Sequence, residues 1–289
     1  MPPDTALPTT IGHIGAPADR RHGPYPVVLY SPGGSSDAAL GTGLVEDLVS
    51  HGYIVVAVDE TNESPEVEFP GGRLVVGTFV AGDDAQAVQE EQIRAADAEF
   101  VLNELTLLEH GGDPDAEHAA LPAGLAGALD LSRVGMFGWS NGGAASARAM
   151  RDDPRIKAGA DLDGTLWGPI AQQGDRPFLL MTNGTHTEQD DPTLASFLAA
   201  GTGPKVLLSL AASQHSTFSD LEELVPQLAP ALGLTPYQVE GLVGTLEPKT
   251  AVTDERAYLR AFFDTYLRGH ISHLLDGPSP RIPDITFEP

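Results

Sequence analysis

Short apolar runs, each ending at glycine, serine or an acid, recur along the chain. Val27 to Tyr30 precedes SPGG, Tyr53 to Val58 precedes an acidic loop, and Val134 to Phe137 precedes GWSNGG. Ala158 to Asp163, Phe178 to Met181 and Val206 to Leu210 follow the same pattern, the last before AASQH. Runs of this length without polar alternation predict strands buried on both faces, as in a parallel sheet. Between them the period lengthens to that of a helix. Leu44, Val45, Leu48 and Val49 share one face, and Ile93, Ala96, Phe100, Val101, Leu105 and Leu108 form a stripe in a helix expected over Asp84 to Glu109. A third stripe joins Leu259, Phe262, Phe263, Tyr266 and Leu267, in a helix that Asp254 and Glu255 should open and Gly269 should close. Strands alternating with helices imply right-handed crossovers and a mostly parallel central sheet with helices on both faces. Ligands of such α/β sheets bind at the carboxyl ends of the strands.

The stretch 216–250 is the least regular. Ser219 and Glu222 fit a capping box and Leu221, Leu224, Val225 and Leu228 form a stripe, but Pro226 and Pro230 interrupt it. We expect short helices over the mouth of the site there, with ordinary surface helices as the alternative, and a single domain over residues 1–289. A hydrophobic fraction of 41% supports a full core for that length.

Charge narrows the partners. With 41 acids against 16 bases the formal charge is −25, and no stretch gathers lysine and arginine into a compensating patch. Phosphate backbones and anionic lipid surfaces would be repelled, so nucleic acid is not an expected partner. The absence of cysteine excludes disulfides, thiolate metal sites and a cysteine nucleophile. No run of about 18 apolar residues occurs, so no stable membrane insertion is expected. The opening MPPDTALPTTIGHIGAP has neither a basic start nor a signal-type apolar run, which makes a cytoplasmic chain the default and a mature exported form the alternative.

The chemistry must then come from Ser, His, Asp or Glu. Gly138-Trp139-Ser140-Asn141-Gly142 matches GxSxG, a weak pattern in a chain with 32 glycines. Its setting strengthens it: a strand precedes it and the small-residue stretch GGAASARAMR follows, as a nucleophile elbow requires. A serine hydroxyl needs a base, and the base needs an acid to hold its tautomer. Of the nine histidines, His215 follows the Val206 to Leu210 strand by a short loop and is the preferred base, with His186 as the alternative. Asp163 is the preferred acid, with Asp190 and Asp191 in the later loop as alternatives; all keep the order Ser, Asp, His. The SPGGSS turn offers an oxyanion donor at the N–H of Gly34, to join that of Asn141, although a plain tight turn would read the same way.

With PVVLYSPGG, HGYIVVAVDE, GWSNGG, DLDGTLWGP, SQHSTFSD and AYLRAFFDTYLRG assembled, the chain resembles the platelet-activating factor acetylhydrolase group of α/β hydrolases, especially its bacterial members. The resemblance implies an α/β-hydrolase fold and a serine esterase cleaving short acyl chains, including short or oxidised phospholipids, without metal or other cofactor. It maps the acid onto Asp163, the base onto His215 and the oxyanion donors onto Gly34 and Asn141. A cutinase or polyester-type lipase would share this constellation. The chain departs from the group at Pro32, where relatives carry His, and at Gly34, where they carry a larger residue. The segment before Val27 is also short, so leading antiparallel strands are either reduced or trimmed away. Trp139 and Trp167, beside two proposed triad members in sequence, are candidates for the substrate pocket, with core aromatics as the alternative.

One rival belongs to another class. Asp161-Leu162-Asp163-Gly164-Thr165 is also the DxDGT signature of haloacid dehalogenase type phosphatases, with Asp161 as nucleophile, Asp163 as acid, and Thr182 and Lys205 completing the set. That scheme needs an acidic pair after Lys205 to hold magnesium, and none follows as DD or GDxxxD. It also leaves the elbow unexplained. A hydrolase fold kept only as a binding module would require a broken triad.

Overall fold

The structure is a computed structural model and describes residues 10–80, 82–168 and 175–288. Its main sheet has seven strands in the order β2-β1-β5-β6-β7-β8-β9. These are β1 (Tyr25–Ser31), β2 (Ile54–Ala57), β5 (Leu129–Trp139), β6 (Ile156–Leu162), β7 (Phe178–Asn183), β8 (Lys205–Leu210) and β9 (Ile285–Phe287). All neighbours run parallel except β9, which lies antiparallel to β8. A separate hairpin joins β3 (Glu66–Phe69) to β4 (Arg73–Val76). Among the described residues no strand precedes β1.

Alternate residues of the strands serve two cores. Val28 and Tyr30 of β1, Phe137 and Trp139 of β5, and Leu179 and Met181 of β7 face one layer. That layer is covered by α1 (Thr42–Ser50) and α7 (Pro248–Arg268). Val27 and Leu29, Val134 and Met136, and Phe178 and Leu180 face the other, covered by α2 (Asp84–Glu109), α3 (Asn141–Asp152) and α4 (Pro192–Ala199). Burial on both sides is why these runs lack polar alternation.

Three expectations are corrected. The bounds of α2 are as expected, but its buried face carries Glu91, Arg94, Ala95, Ala98, Leu102 and Leu108. Ile93 and Phe100 point outward, because α2 packs against the small residues of α3 and turns its own alanines and paired charges inward. Helix α7 starts at Pro248, with the Glu247 side chain accepting from the Thr250 amide, so Asp254 and Glu255 lie buried within it instead of opening it. Gly269, at φ 70°, closes it as expected. Pro226 and Pro230 sit inside one continuous helix, α5 (Leu221–Leu232), which begins after Asp220 without the Ser219–Glu222 box. With α6 (Pro236–Val243), α5 packs beside the short 3-10 turn His215–Phe218. No described helix is long and apolar enough to cross a membrane.

Candidate active site

Strand β5 passes into α3 through one residue. The Ser140 amide still extends the β5–β6 ladder to the Leu162 carbonyl at 2.9 Å, and its own carbonyl already accepts from the amides of Gly143 and Ala144. Such a reversal holds Ser140 at φ 57°, ψ −126°, a backbone that costs a non-glycine residue about 1–3 kcal/mol. The flanking glycines make room for it. A Cβ on Gly138 or on Gly142 would collide with the Ser31 carbonyl oxygen at the end of β1.

The hydroxyl so presented meets two groups from neighbouring strand ends. Ser140 Oγ lies 2.9 Å from His215 Nε2, and His215 Nδ1 lies 2.7 Å from Asp163 Oδ2. Asp163 directly follows β6 at φ 60°, its amide bonded to the Met181 carbonyl of β7. His215 opens the 3-10 turn after β8, where Trp139 Nε1 donates to its carbonyl at 2.8 Å and the indole lies 5.3 Å from its ring. A carboxylate only accepts, so Nδ1 carries the proton and Nε2 is left to accept from the Ser140 hydroxyl.

Asp163 is almost fully buried, and burial alone would raise its pKa. Hydrogen bonds from His186, His215 and Asn183 outweigh burial and hold it down at about 2. The Asn183 amide and side chain donate to it at 2.9 to 3.1 Å. His186, the alternative base, touches the acid instead of the hydroxyl: its Nδ1 is 3.0 Å from Asp163 Oδ1 and its Nε2 is 3.0 Å from Asp191 Oδ2. Asp191 caps α4, accepting from the Thr193 and Leu194 amides, and Asp190 bonds Thr187 in the same loop. Asp161 is 1% exposed and accepts from the Gly164 amide; burial pushes its carboxyl well above the usual range. A carboxyl sealed between α3 and the turn at Gly164 is not placed to attack phosphate, which removes the basis of the DxDGT reading.

The turn after β1 faces the elbow. Gly34 adjoins Asn141, since a Cβ there would lie 3.0 Å from Asn141 Nδ2 and 3.0 Å from the Phe79 ring. Asn141 is the first residue of α3, so its amide stands at a helix N-terminus. Arg94, 1% exposed, ties the turn down from α2. It donates to the Pro32 carbonyl at 2.6 Å, to Ser31 Oγ at 2.9 Å and to the Glu63 carboxylate at 2.5 Å. Beside it, Glu91 accepts from the Trp167 amide and from Arg148, whose Nη2 reaches the Trp167 carbonyl. Trp139 is buried in the core, whereas Trp167 is half-buried next to residues outside the described set. Sequence reasoning missed Glu91, Arg94 and Asn183. The one signal for the first two was their place, at i and i+3, on the alanine-rich face of α2.

The named relatives and the solved structure similar to this chain are described as ester hydrolases. The family described as platelet-activating factor acetylhydrolase, isoform II, matches residues 13–245. A probable 1-alkyl-2-acetylglycerophosphocholine esterase of Arthroderma benhamiae is 27% identical over 278 residues, 92% of this chain and 66% of that protein. The platelet-activating factor acetylhydrolase of Canis lupus familiaris is 25% identical over 160 residues, 48% of this chain and 35% of that one. The chain thus spans just under two thirds of the fungal relative and about a third of the canine one. Among solved structures, a ferulic acid esterase from Streptomyces cinnamoneus superposes with a TM-score of 0.78 at 36% identity, covering 93% of this chain and 75% of that one.

Proposed function

The chain belongs to the platelet-activating factor acetylhydrolase isoform II family, and from that premise we propose that it hydrolyses carboxylic esters through an acyl-enzyme on Ser140. The observation that carries this reading is the hydrogen-bonded series from Ser140 through His215 to the buried Asp163. Ser140 Oγ attacks the ester carbonyl carbon while His215 Nε2 takes the hydroxyl proton; the tetrahedral intermediate collapses, and Nε2 returns that proton to the leaving alcohol. Water then attacks the acyl-enzyme, with His215 again as base, and frees the acid. Asp163 keeps the ring in one tautomer and stabilises its charged form. The amides of Gly34 and Asn141 face the oxyanion, a donor of this kind contributing about 3–4 kcal/mol.

The preferred substrates are esters of small acyl groups, including acetyl esters of glycerophospholipids. The acetyl-ester hydrolases among the relatives support this reading, and the phenyl ring of Phe79 against Gly34 fits a confined acyl side. A second reading, esters of hydroxycinnamic acids, has its own support in the 36% identity to a ferulic acid esterase. A fluorophosphonate should label Ser140 alone, and Ser140→Ala should abolish release of p-nitrophenol from the acetate ester. Labelling at another residue, or activity surviving in the variant, would refute the assignment. Comparing acetyl-glycerophosphocholine with methyl ferulate separates the two substrate classes.

A further inference from the structure

We propose that His186 is a charged positioning residue, an imidazolium that bridges Asp163 to Asp191 and holds the carboxylate that faces His215. Hydrogen counting gives the charge of the ring. Both ring nitrogens of His186 lie 3.0 Å from carboxylate oxygens, and an ionised carboxylate offers no proton. Both nitrogens must therefore donate, which only the protonated ring can do. Each carboxylate is also held in place by other groups. Asp163 accepts from Asn183 and His215. Asp191 accepts from the amides of Thr193 and Leu194 and from Thr193 Oγ1. The two acids form a fixed slot for one cation, and the bonds to Asp163 and Asp191 raise the pKa of His186 to about 10.

The charged groups around His186 are mostly acids. Asp163 and Asp191 touch it, Asp161 lies buried behind Asp163, Glu188 and Asp190 share its loop, and Glu288 lines the same small cleft from beyond β9. His215 meets it only through Asp163. In an ordinary triad the acid's charge acts undiminished on the base and favours its protonated form. Here the cation at 186 offsets part of that charge, while the bonded slot keeps Asp163 ionised and aimed.

This deepens the esterase reading, and its kinetic test rests on that reading; the spectroscopic test does not. His186→Asn keeps an N–H donor towards Asp163 but removes the charge, and should move the acid limb of kcat/KM up by about half a pH unit or more. Below that limb, such a shift reads as about a threefold loss of kcat/KM. Asp191→Asn removes a negative charge from the series and should move the limb the opposite way. A pair of variants that merely loosened the loop would shift together or not at all, and either result would overturn the proposal. Independently of activity, nitrogen-15 shifts of the His186 ring in the wild-type chain should report both nitrogens protonated from pH 5 to 8. A neutral ring at pH 7 would overturn it even if every variant failed to fold. Absence of any esterase activity would instead count against the triad.

Discussion

Asp163 does more than its proposed place in a triad requires. It is buried, sits in a left-handed backbone conformation, and collects donors from Asn183, His186 and His215. Asp163→Asn would place an amide N–H against His215 Nδ1 and force the proton onto Nε2, the nitrogen that must accept from Ser140. We expect kcat to fall by about 10³–10⁴ with KM little changed, and Asp191→Asn to stay within about tenfold of the wild type. Steady-state kinetics on p-nitrophenyl acetate checks both. Ser140, Asp163 and His215 could be brought to one edge from the sequence because each follows an apolar run, and a parallel sheet delivers such positions together. Asn183 and His186 were harder to read. Their partner Asp163 follows the neighbouring strand β6, and nothing in a polar loop such as TNGTHTEQDD says which side chain turns inward.

The elements that meet at the elbow are held by buried charge as well as by apolar packing. Arg94 of α2 carries the turn at Pro32 and the Glu63 carboxylate on one guanidinium. Arg94→Ala would leave carboxylates without their partner and free the turn; removing one partner of a buried pair costs about 3–5 kcal/mol. Urea unfolding should show that loss, and kcat should fall more than KM rises, since the proposed oxyanion donor at Gly34 would act on the transition state. Helix α2 shows what periodicity can and cannot give. Its limits follow from caps, the Asp83 side chain accepting from the Gln86 amide. Its inner face was misphased because hydropathy rewards Ile93 and Phe100, whereas a close approach to α3 selects alanine and lets paired charges inside. The start of α7 was hidden for a related reason. Asp254 and Glu255 resemble first-turn acids, but Pro248 and Glu247 had already supplied the start and cap.

For the whole molecule, ionisation should make stability fall as pH rises above the acid range. His186 has its pKa raised to about 10, so its contribution is complete below the ordinary histidine value of about 6.5 and disappears as pH climbs towards 10. The buried acids behind the His215 turn act lower on the scale. Burial raises Glu222 to about 7 and Glu255 well above its normal value, so the folded state holds protons that the unfolded chain loses from about pH 4.5 upward. Asp163, held at about 2, gives stability that is present above about pH 4 and is lost as pH falls through 2. Self-repulsion in a chain of net charge −25 at pH 7 adds to the decline. Calorimetry should therefore place the highest melting temperature near pH 5, about midway between these limits. Glu222→Gln should flatten the lower part of the decline, and His186→Asn the upper part. The parallel sheet and its two helical layers were legible at this scale because they rest on many residues. β9 and the β3–β4 hairpin were not, since three or four residues are too few to establish a period.

The brief strand β9 nonetheless has a task out of proportion to its length. By lying antiparallel along β8 it occupies a margin that would otherwise offer free amide and carbonyl groups to a strand of another molecule. The same margin leads into the turn that bears His215. The three residues of β9 thus serve as a selvage along β8, leaving little open margin for another molecule to join.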